Sequence, residues 1–202
     1  GELVALTLET IGEVHDHADA GRLNGEDGIL SADSKAADES YAESIRMRRD
    51  ISGQDAPSSS SAYYKRGYLK LRLKQWEDAI DLLGKCHSIQ RRTLGDQHPL
   101  VALTLFRLGC AHLGFLDENS AADCFEKIID SRAFENTNDD GGEDAIDLTA
   151  AYILAGQTLV RVGKPLVGER CFEEAIHAKA QEVGDQQDET GDNGSPRPTG
   201  SR

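Results

Sequence analysis

The residues best suited to chemistry lie in two short segments. The segment "HDHAD" contains His15 and His17 between aspartates, and "GDQHP" contains Asp96 and His98. Histidine is a common general base and metal ligand. On a helix, however, His15 and His17 point to nearly opposite sides and cannot bind one ion together. The glycine and proline around Asp96 and His98 are typical of a turn between helices, where polar side chains cap free backbone groups. We therefore predict structural roles for both segments.

The four cysteines form no recognisable metal or redox pattern. They occur singly, without a CxxC pair or histidines at zinc-like spacing, at Cys86, Cys110, Cys124 and Cys171. Each lies on the apolar side of a predicted helix, where a reduced cysteine packs as a small hydrophobic residue. The sequence also lacks a phosphate-binding glycine loop and a nucleophile elbow. We therefore predict that the protein is not an enzyme and needs no metal or cofactor.

The net charge of −14 is concentrated in three polar segments. Residues 16–33, 135–147 and 182–202 together account for −13 of it. Their composition, rich in glycine and in short polar residues, is typical of loops or disordered tails. An acidic chain is a poor ligand for nucleic acid, and the sequence contains no apolar run long enough to cross a membrane. We expect a cytoplasmic protein whose partners are neither nucleic acid nor membrane.

An internal repeat organises the rest of the chain. The hexapeptide "LVALTL" occurs at residues 3–8 and again at 100–105. In a longer pattern, a glycine is followed by a small residue and then, sixteen positions after the glycine, by a large apolar residue. The glycines and their large partners are Gly67 with Leu83, Gly109 with Phe125, Gly156 with Phe172, and, after a 13-residue insertion, Gly12 with Tyr41. We expect both phenylalanines to be buried between the helices of their own repeats.

The sequence pattern of each repeat predicts two helices. In "HPLVALTLFRLGCAHL" apolar residues recur at close to helical spacing. Pro99 suits a first helical position, and Gly95 suits the end of the preceding helix. Asp117, Asn119 or Ser120 can cap the next helix. The sequence contains no alternating pattern long enough for a strand. The predicted fold is all-α, with eight helices in four antiparallel pairs.

These residues resemble the tetratricopeptide repeat, and more specifically the form with a 42-residue period found in kinesin light chains. The joint between two repeats of that form is matched by Arg91 and Arg92, Leu94 and Gly95, His98 and Pro99, Val101 and Ala102, and Thr104 and Leu105. The resemblance implies a right-handed solenoid over residues 1–183 and a disordered tail at 184–202. The repeats would be repeat 1 (1–57, with an acidic insertion at about 20–33), repeat 2 (58–97), repeat 3 (98–137) and repeat 4 (144–183).

In such a solenoid the first helices of the repeats line a concave groove. By resemblance, the residues of this chain that face the groove are Tyr64, Tyr68, Leu71, Arg72, Phe106, Cys110, Leu113, Ile153, Gln157 and Arg161, with Glu9, Glu13 and Asp16 in repeat 1. Kinesin light chains carry paired asparagines just before the glycine position, which the resemblance assigns to holding the backbone of a cargo peptide. No asparagine occurs at the matching positions here, which include Phe106 and Arg107.

The resemblance predicts a protein-interaction scaffold that binds a peptide segment of another protein, with an apolar anchor and an acidic group. Tyrosine and arginine are common at binding hot spots, although aromatic residues of the groove can instead pack between helices. Residues 46–92 carry a net charge of +6, which suits a solvated face or an acidic ligand, the chain's own acidic loops included. Two alternatives remain open: a structural subunit that packs through its convex face or ends in a larger assembly, and a regulatory repeat domain of a longer signalling protein.

Overall fold

The computed structural model describes residues 1–20, 32–53, 56–132 and 146–191. Within these ranges every regular element is helical, and the α-helices are α1 (Glu2–Ala20), α2 (Ala32–Ser52), α3 (Ser60–Arg72), α4 (Trp76–Leu94), α5 (Pro99–Gly114), α6 (Glu118–Ser131), α7 (Leu148–Arg161) and α8 (Pro165–Gly191). A short 3-10 helix, Pro57–Ser59, precedes α3. The all-α fold predicted from the sequence is confirmed.

The chain divides into two compact units, residues 1–142 and residues 143–202. In the first unit α1 packs against α2, α3 against α4, and α5 against α6. Contacts of α2 with α3, and of α4 with α5, join each helical hairpin to the next. In the second unit α7 packs against α8. The first unit has the architecture of a helical repeat, in which each hairpin buries its apolar side against the next.

The repeated glycines mark a close contact between the two helices of each hairpin. A Cβ atom on Gly109 would lie 2.5 Å from Cε1 of Phe125, so only glycine allows this ring to lie directly on the helix backbone. The same contact recurs between Gly12 and Tyr41, Gly67 and Leu83, and Gly156 and Phe172. The pairing of each glycine with its large residue, predicted from their spacing, is confirmed.

A side-chain hydrogen bond also recurs between repeats. Ser44 of α2 donates its hydroxyl to the carbonyl oxygen of Ala5 on α1, at 2.9 Å. At the equivalent place in the second hairpin, the Sγ atom of Cys86 lies 3.2 Å from the carbonyl oxygen of Ser60. The small polar atom satisfies a carbonyl oxygen inside the hairpin, where water is excluded.

Residues at the helix ends behave as their types predict. His98 caps α5, because its Nδ1 atom accepts a hydrogen bond from the backbone N–H of Leu100 at 3.1 Å. Gly95 ends α4 with a φ of 86°, a backbone conformation that favours glycine. Asp117 caps α6 by accepting from the backbone N–H of Ser120 at 3.1 Å. The "GDQHP" segment is therefore a structural turn.

Two expectations for the C-terminal part are wrong. Helix α8 continues to Gly191, so residues 184–191 are helical rather than part of a disordered tail. This stretch contains Gln186, Gln187 and Glu189, which favour helix, and its internal glycine, Gly184, costs only about 1 kcal/mol. Phe172 contacts Gly156 as expected, but it is 36% exposed. The described part of its unit contains one hairpin, α7 and α8, so no further helix of that unit covers the Phe172 ring.

Some predicted segments lie outside the described residues. Most of the acidic insertion of repeat 1 falls between α1 and α2, in residues 21–31, and the predicted loop at 136–143 follows α6. The residues from 192 onward also lie outside the described part. Among the described helices, none has the length and apolar character that a bilayer span requires.

Candidate functional site

An aromatic and basic cluster lies where α3 and α5 run beside each other. Tyr64 and Tyr68, one turn apart on α3, stack with their ring centroids 6.3 Å apart and an interplanar angle of 16°. The guanidinium carbon of Arg107, on α5, lies 4.4 Å from the Tyr68 centroid, and that of Arg72 lies 5.9 Å from it. Both distances suit cation–π attraction. The Tyr68 ring is therefore held by residues from two repeats.

Burial separates the predicted groove residues of α3 and α5 into two groups. Tyr64 and Phe106 are buried, and the Phe106 ring packs against Phe125 with the centroids 5.9 Å apart. These two rings belong to the core rather than to an open groove, because helix packing takes up their surface. The predicted residues that keep partial exposure are Tyr68, Leu71, Arg72, Cys110 and Leu113.

Acidic residues of α1 bind the basic residues of α3. Arg72 donates from Nη1 to Oδ1 of Asp16 at 2.6 Å, and both side chains are largely buried. The ammonium group of Lys65 lies 2.9 Å from Oε1 of Glu9 and also contacts Glu13. Arg72 thus already binds a carboxylate of the same chain. The acidic residues predicted to face the groove in repeat 1 instead join the first two repeats.

Glu9 is the most buried member of this ionic group. Its Oε2 atom lies 2.6 Å from Nη2 of Arg48, which is also buried, and Ser61 donates its hydroxyl to Oε1. Burial raises the pKa of Glu9, but hydrogen bonds from Ser61 and Lys65 and the nearby positive charges outweigh it, so the pKa lies below its usual value. Glu9 is therefore a carboxylate at neutral pH.

A second carboxylate, Asp38 on α2, neutralises two further bases of α3. Arg66 donates from Nε to Oδ1 of Asp38 at 2.7 Å, and the Lys70 ammonium lies 3.0 Å from Oδ2. Burial raises the pKa of Asp38, yet the bonds and charges of Arg66 and Lys70 lower it further than burial raises it. The basic residues of α3 are therefore not a solvated face, as acidic residues of repeat 1 bind them.

Comparison with solved structures and sequence families shows which known proteins this repeat is similar to. The chain is similar in fold to BtubC (BKLC) from P. vanneervenii, with a TM-score of 0.67 and 16% identity over 99% of this chain and 70% of that one. Two crystal structures of a Podosopora anserina kinesin light chain-type protein with nearly identical TPR-like repeats give TM-scores of 0.61 and 0.60 at 13% identity, over 91% of this chain and 91% and 92% of theirs. Residues 58–133 match the tetratricopeptide repeat family. Residues 58–133 are thus similar in sequence to tetratricopeptide repeats, and the fold of the chain is similar to that of kinesin light chain-type repeats. No curated protein matches the sequence significantly.

Arg107 belongs to the aromatic and basic cluster around Tyr68. It is not among the groove residues predicted from the sequence. It stands two positions before Gly109, as Lys65 stands two before Gly67, where kinesin light chains carry an asparagine. Its Nε atom makes no hydrogen bond within the described part of the chain. The signal that could have found it is the basic residue at the same place in two successive repeats.

The predicted groove residues of repeat 4 lie in the second unit, on α7. Ile153, Gln157 and Arg161 are four residues apart, which places them on one side of the helix, and all three are exposed. The hairpin of this unit thus offers an exposed stripe of its own.

The histidines of "HDHAD" and the cysteines have structural surroundings. The Nδ1 atom of His15 lies 3.2 Å from Oδ1 of Asp33 at the start of α2, and His17 is exposed. The described residues contain no group of three side chains that could hold a metal ion. Burial raises the pKa of the Cys86 thiol to about 12 and that of Cys110 to about 11, so neither is an activated nucleophile.

Proposed function

We propose that this chain binds a peptide segment of another protein on a face formed by Tyr68, Leu71, Arg72, Arg107 and Leu113. We call these five residues the Tyr68 face. The observation that carries the proposal is the Tyr68 ring, which is partly exposed although its position is fixed by the stack with Tyr64 and by the Arg107 guanidinium. A ring that is ordered before binding loses little freedom on binding, which favours affinity.

The charges of the Tyr68 face favour a ligand with one acidic group beside an apolar one. An apolar side chain can pack on Tyr68 and Leu71, which are partly exposed. Arg107 is better placed than Arg72 to bind a carboxylate, because Arg72 already binds Asp16 at 2.6 Å. This assigns to Arg107 the acid-binding role that the sequence suggested for Arg72.

The wider proposal follows from the general use of tetratricopeptide repeats, which is to mediate interactions between proteins. The chain is proposed to act without catalysis and without a cofactor, in the cytoplasm, and not on nucleic acid or membrane. Ile153, Gln157 and Arg161 of the second unit are proposed to bind peptide on their own exposed stripe.

The proposal can be tested without knowing the natural partner. Peptides would be selected from a displayed random library on the immobilised full chain and then titrated by calorimetry. We expect the selected peptides to carry an aromatic or aliphatic residue near an aspartate or glutamate. Tyr68→Ala should weaken binding by about 2 kcal/mol or more, as at a hot spot. Arg107→Gln should weaken it less and should reduce its dependence on salt.

Lys85→Ala is the matched control, because Lys85 lies on the exposed side of α4 and pairs with Asp81 one turn away. It should leave the affinity unchanged, and thermal melts should show that each variant is folded. Selected peptides that bind Tyr68→Ala as tightly as the parent would contradict the proposal. They would favour the alternative in which the chain packs into an assembly through its convex face.

A further inference from the structure

A groove of about 600 Å³ lies between α2 and α4, inside the first unit. The residues that line it include Arg49 of α2, Tyr63 of α3, and Gly84, Lys85 and Arg92 of α4. We call this cavity the α2–α4 groove. It shares no residue with the Tyr68 face. Its two helices are internal elements of the chain, because α1 precedes the first of them and α5 follows the second.

The charges that line the α2–α4 groove are mainly positive. Arg49, Lys85 and Arg92 are all exposed, and the acid among the described lining residues is Asp81, whose Oδ2 atom lies 2.6 Å from Nζ of Lys85. The side chain of Arg49 makes no hydrogen bond or ion pair with the described part of the chain. Acidic residues of repeat 1 thus neutralise the bases of α3, whereas the α2–α4 groove keeps an excess of positive charge.

Tyr63 contributes a hydroxyl that has no hydrogen-bond partner among the described residues. The residue is only 7% exposed and lines the groove. A polar group that folding removes from most of its water, without giving it a partner, costs free energy. A ligand in the groove that accepts a hydrogen bond would satisfy this hydroxyl. A carboxylate is a strong acceptor and is also attracted by the nearby cations.

Gly84 leaves open space in the same groove. A Cβ atom on Gly84 would have no atom within 4 Å, whereas one on Gly67 or Gly109 would lie against a packed side chain. Packing between helices therefore does not require a glycine at position 84, although glycine is less favourable than alanine inside a helix. The missing side chain allows the backbone of a ligand to approach α4 closely.

The spacing of Lys85 and Arg92 favours an extended ligand with more than one acid. These residues are two helical turns apart on α4, so they lie on one side of the helix and about 10 Å apart along its axis. That separation suits two carboxylates better than one anion. In a polyproline II segment, every third residue lies on the same side, and such residues are about 9 Å apart. Acids at every third position of such a segment match the two cations.

We propose that the α2–α4 groove binds an acidic, extended segment of another protein that carries aspartate or glutamate at every third position. Lys85 and Arg92 would each pair with one carboxylate, and Arg49 would add a third cation. The Tyr63 hydroxyl would donate to a carboxylate or to a backbone carbonyl, since polyproline II backbone makes no internal hydrogen bonds. The chain would then have a second interaction surface, whose ligand differs in chemistry from that of the Tyr68 face.

The first test uses labelled peptides titrated against the full chain, with fluorescence anisotropy as the measurement. The probe is a peptide of repeated Glu-Pro-Pro units, because proline favours the polyproline II conformation. We expect saturable binding that weakens with added salt. A peptide of the same composition with its glutamates adjacent should bind about fivefold more weakly, since its carboxylates do not match the spacing of the cations. A peptide of Gln-Pro-Pro units should not bind.

A matched pair of variants tests whether the peptide lies in the α2–α4 groove. Arg49→Gln and Arg46→Gln each remove one positive charge from the exposed part of α2, but Arg46 pairs with Glu43 and Asp50 on its own helix. Arg49→Gln should weaken binding about threefold or more, and Arg46→Gln should leave it unchanged. Arg49→Gln combined with Arg92→Gln should weaken it about tenfold.

Two further variants separate binding from folding. Tyr63→Phe removes the hydroxyl alone, so we expect it to weaken binding about threefold without lowering the melting temperature. Gly84→Leu should fill the groove and abolish binding, while thermal melts show that the chain remains folded. A binding loss that occurs only together with a loss of stability would show that Tyr63 and Gly84 have structural roles, and the assignment of the groove as a ligand site would be wrong.

The peptides also give the outcomes that would overturn the proposal. Failure of the Glu-Pro-Pro peptide to bind, or equal effects of Arg46→Gln and Arg49→Gln, would show that the groove does not receive it. Equal affinity for the peptide with adjacent glutamates would mean attraction without a defined spacing. Tighter binding of a peptide with one phosphoserine and no glutamate would indicate a phosphate site instead. Tyr68→Ala should leave the affinity of the Glu-Pro-Pro peptide unchanged, so this proposal and that for the Tyr68 face fail separately.

Discussion

At the scale of single residues, the buried carboxylate of Glu9 has a large predicted effect on stability. It holds together helices α1, α2 and α3 through Arg48, Ser61 and Lys65. Replacing one partner of such a group leaves the opposite charge buried without compensation. Glu9→Gln should therefore destabilise the first unit by about 3 kcal/mol or more at neutral pH. Glu39→Gln, at an exposed site on α2, is the control for urea unfolding.

The same carboxylate predicts how stability depends on pH. Because the folded pKa of Glu9 lies below its usual value, its contribution is fully present above the unfolded pKa, about 4.3. The contribution is lost as the pH falls through the folded value, because the protonated carboxyl gains less from its cationic partners. The parent should thus lose more unfolding free energy than Glu9→Gln between pH 6 and pH 3. Parallel losses in the two proteins would show that Glu9 is not the titrating group.

The two equivalent phenylalanines should respond differently to truncation. Phe125 is fully buried and also contacts Phe106, whereas Phe172 is 36% exposed. Phe125→Ala should cost about 3–5 kcal/mol, and Phe172→Ala should cost at least about 1 kcal/mol less. Hydrogen exchange of the hairpin that contains each residue measures the two effects separately. Equal losses would mean that the exposure of Phe172 has no energetic consequence.

At the scale of helices, a glycine at a close contact should behave unlike a glycine on an open helix surface. Gly109→Ala would bring a Cβ atom to 2.5 Å from the Phe125 ring, so the ring or the helix must move and stability should fall. Gly84, on α4, has no atom within 4 Å of such a Cβ. Gly84→Ala should therefore stabilise by about 0.5–1 kcal/mol, since alanine favours helix. Thermal melts of both variants would check this, and a stabilised Gly109→Ala would rule out the close contact.

Sequence reasoning succeeded where one local requirement fixes a residue type. A close contact between helices requires glycine opposite a large side chain, so Gly109 and Phe125 could be paired from their spacing alone. It failed for the ion pairs of α3, because Arg72 and Asp16 are 56 residues apart and no spacing rule connects them. Asp16 binds Arg72, the arginine that the sequence-based prediction had placed in the ligand-binding groove. For the same reason the contact between Arg107 and Tyr68 could not be predicted, since it depends on how two repeats stack.

At the scale of the whole molecule, the division into two units predicts what can be removed. The residues of the Tyr68 face all belong to residues 1–142. A chain ending at residue 142 should keep the circular dichroism spectrum of a helical protein and should bind peptides selected on the Tyr68 face. A loss of affinity of more than about tenfold, with helicity intact, would show that residues of the second unit contribute to binding.

The burial of the cysteines has a practical consequence. Among the described residues, Cys86 and Cys124 lie inside the second and third hairpins, and Cys171 lies in the second unit. Burial raises the pKa of these thiols to about 12, 11 and 11, so an alkylating reagent reacts with them only when the surrounding helices open. Mass spectrometry of a timed alkylation would therefore give an opening rate for each of these hairpins. The chain carries a built-in set of probes for the order in which its repeats come apart.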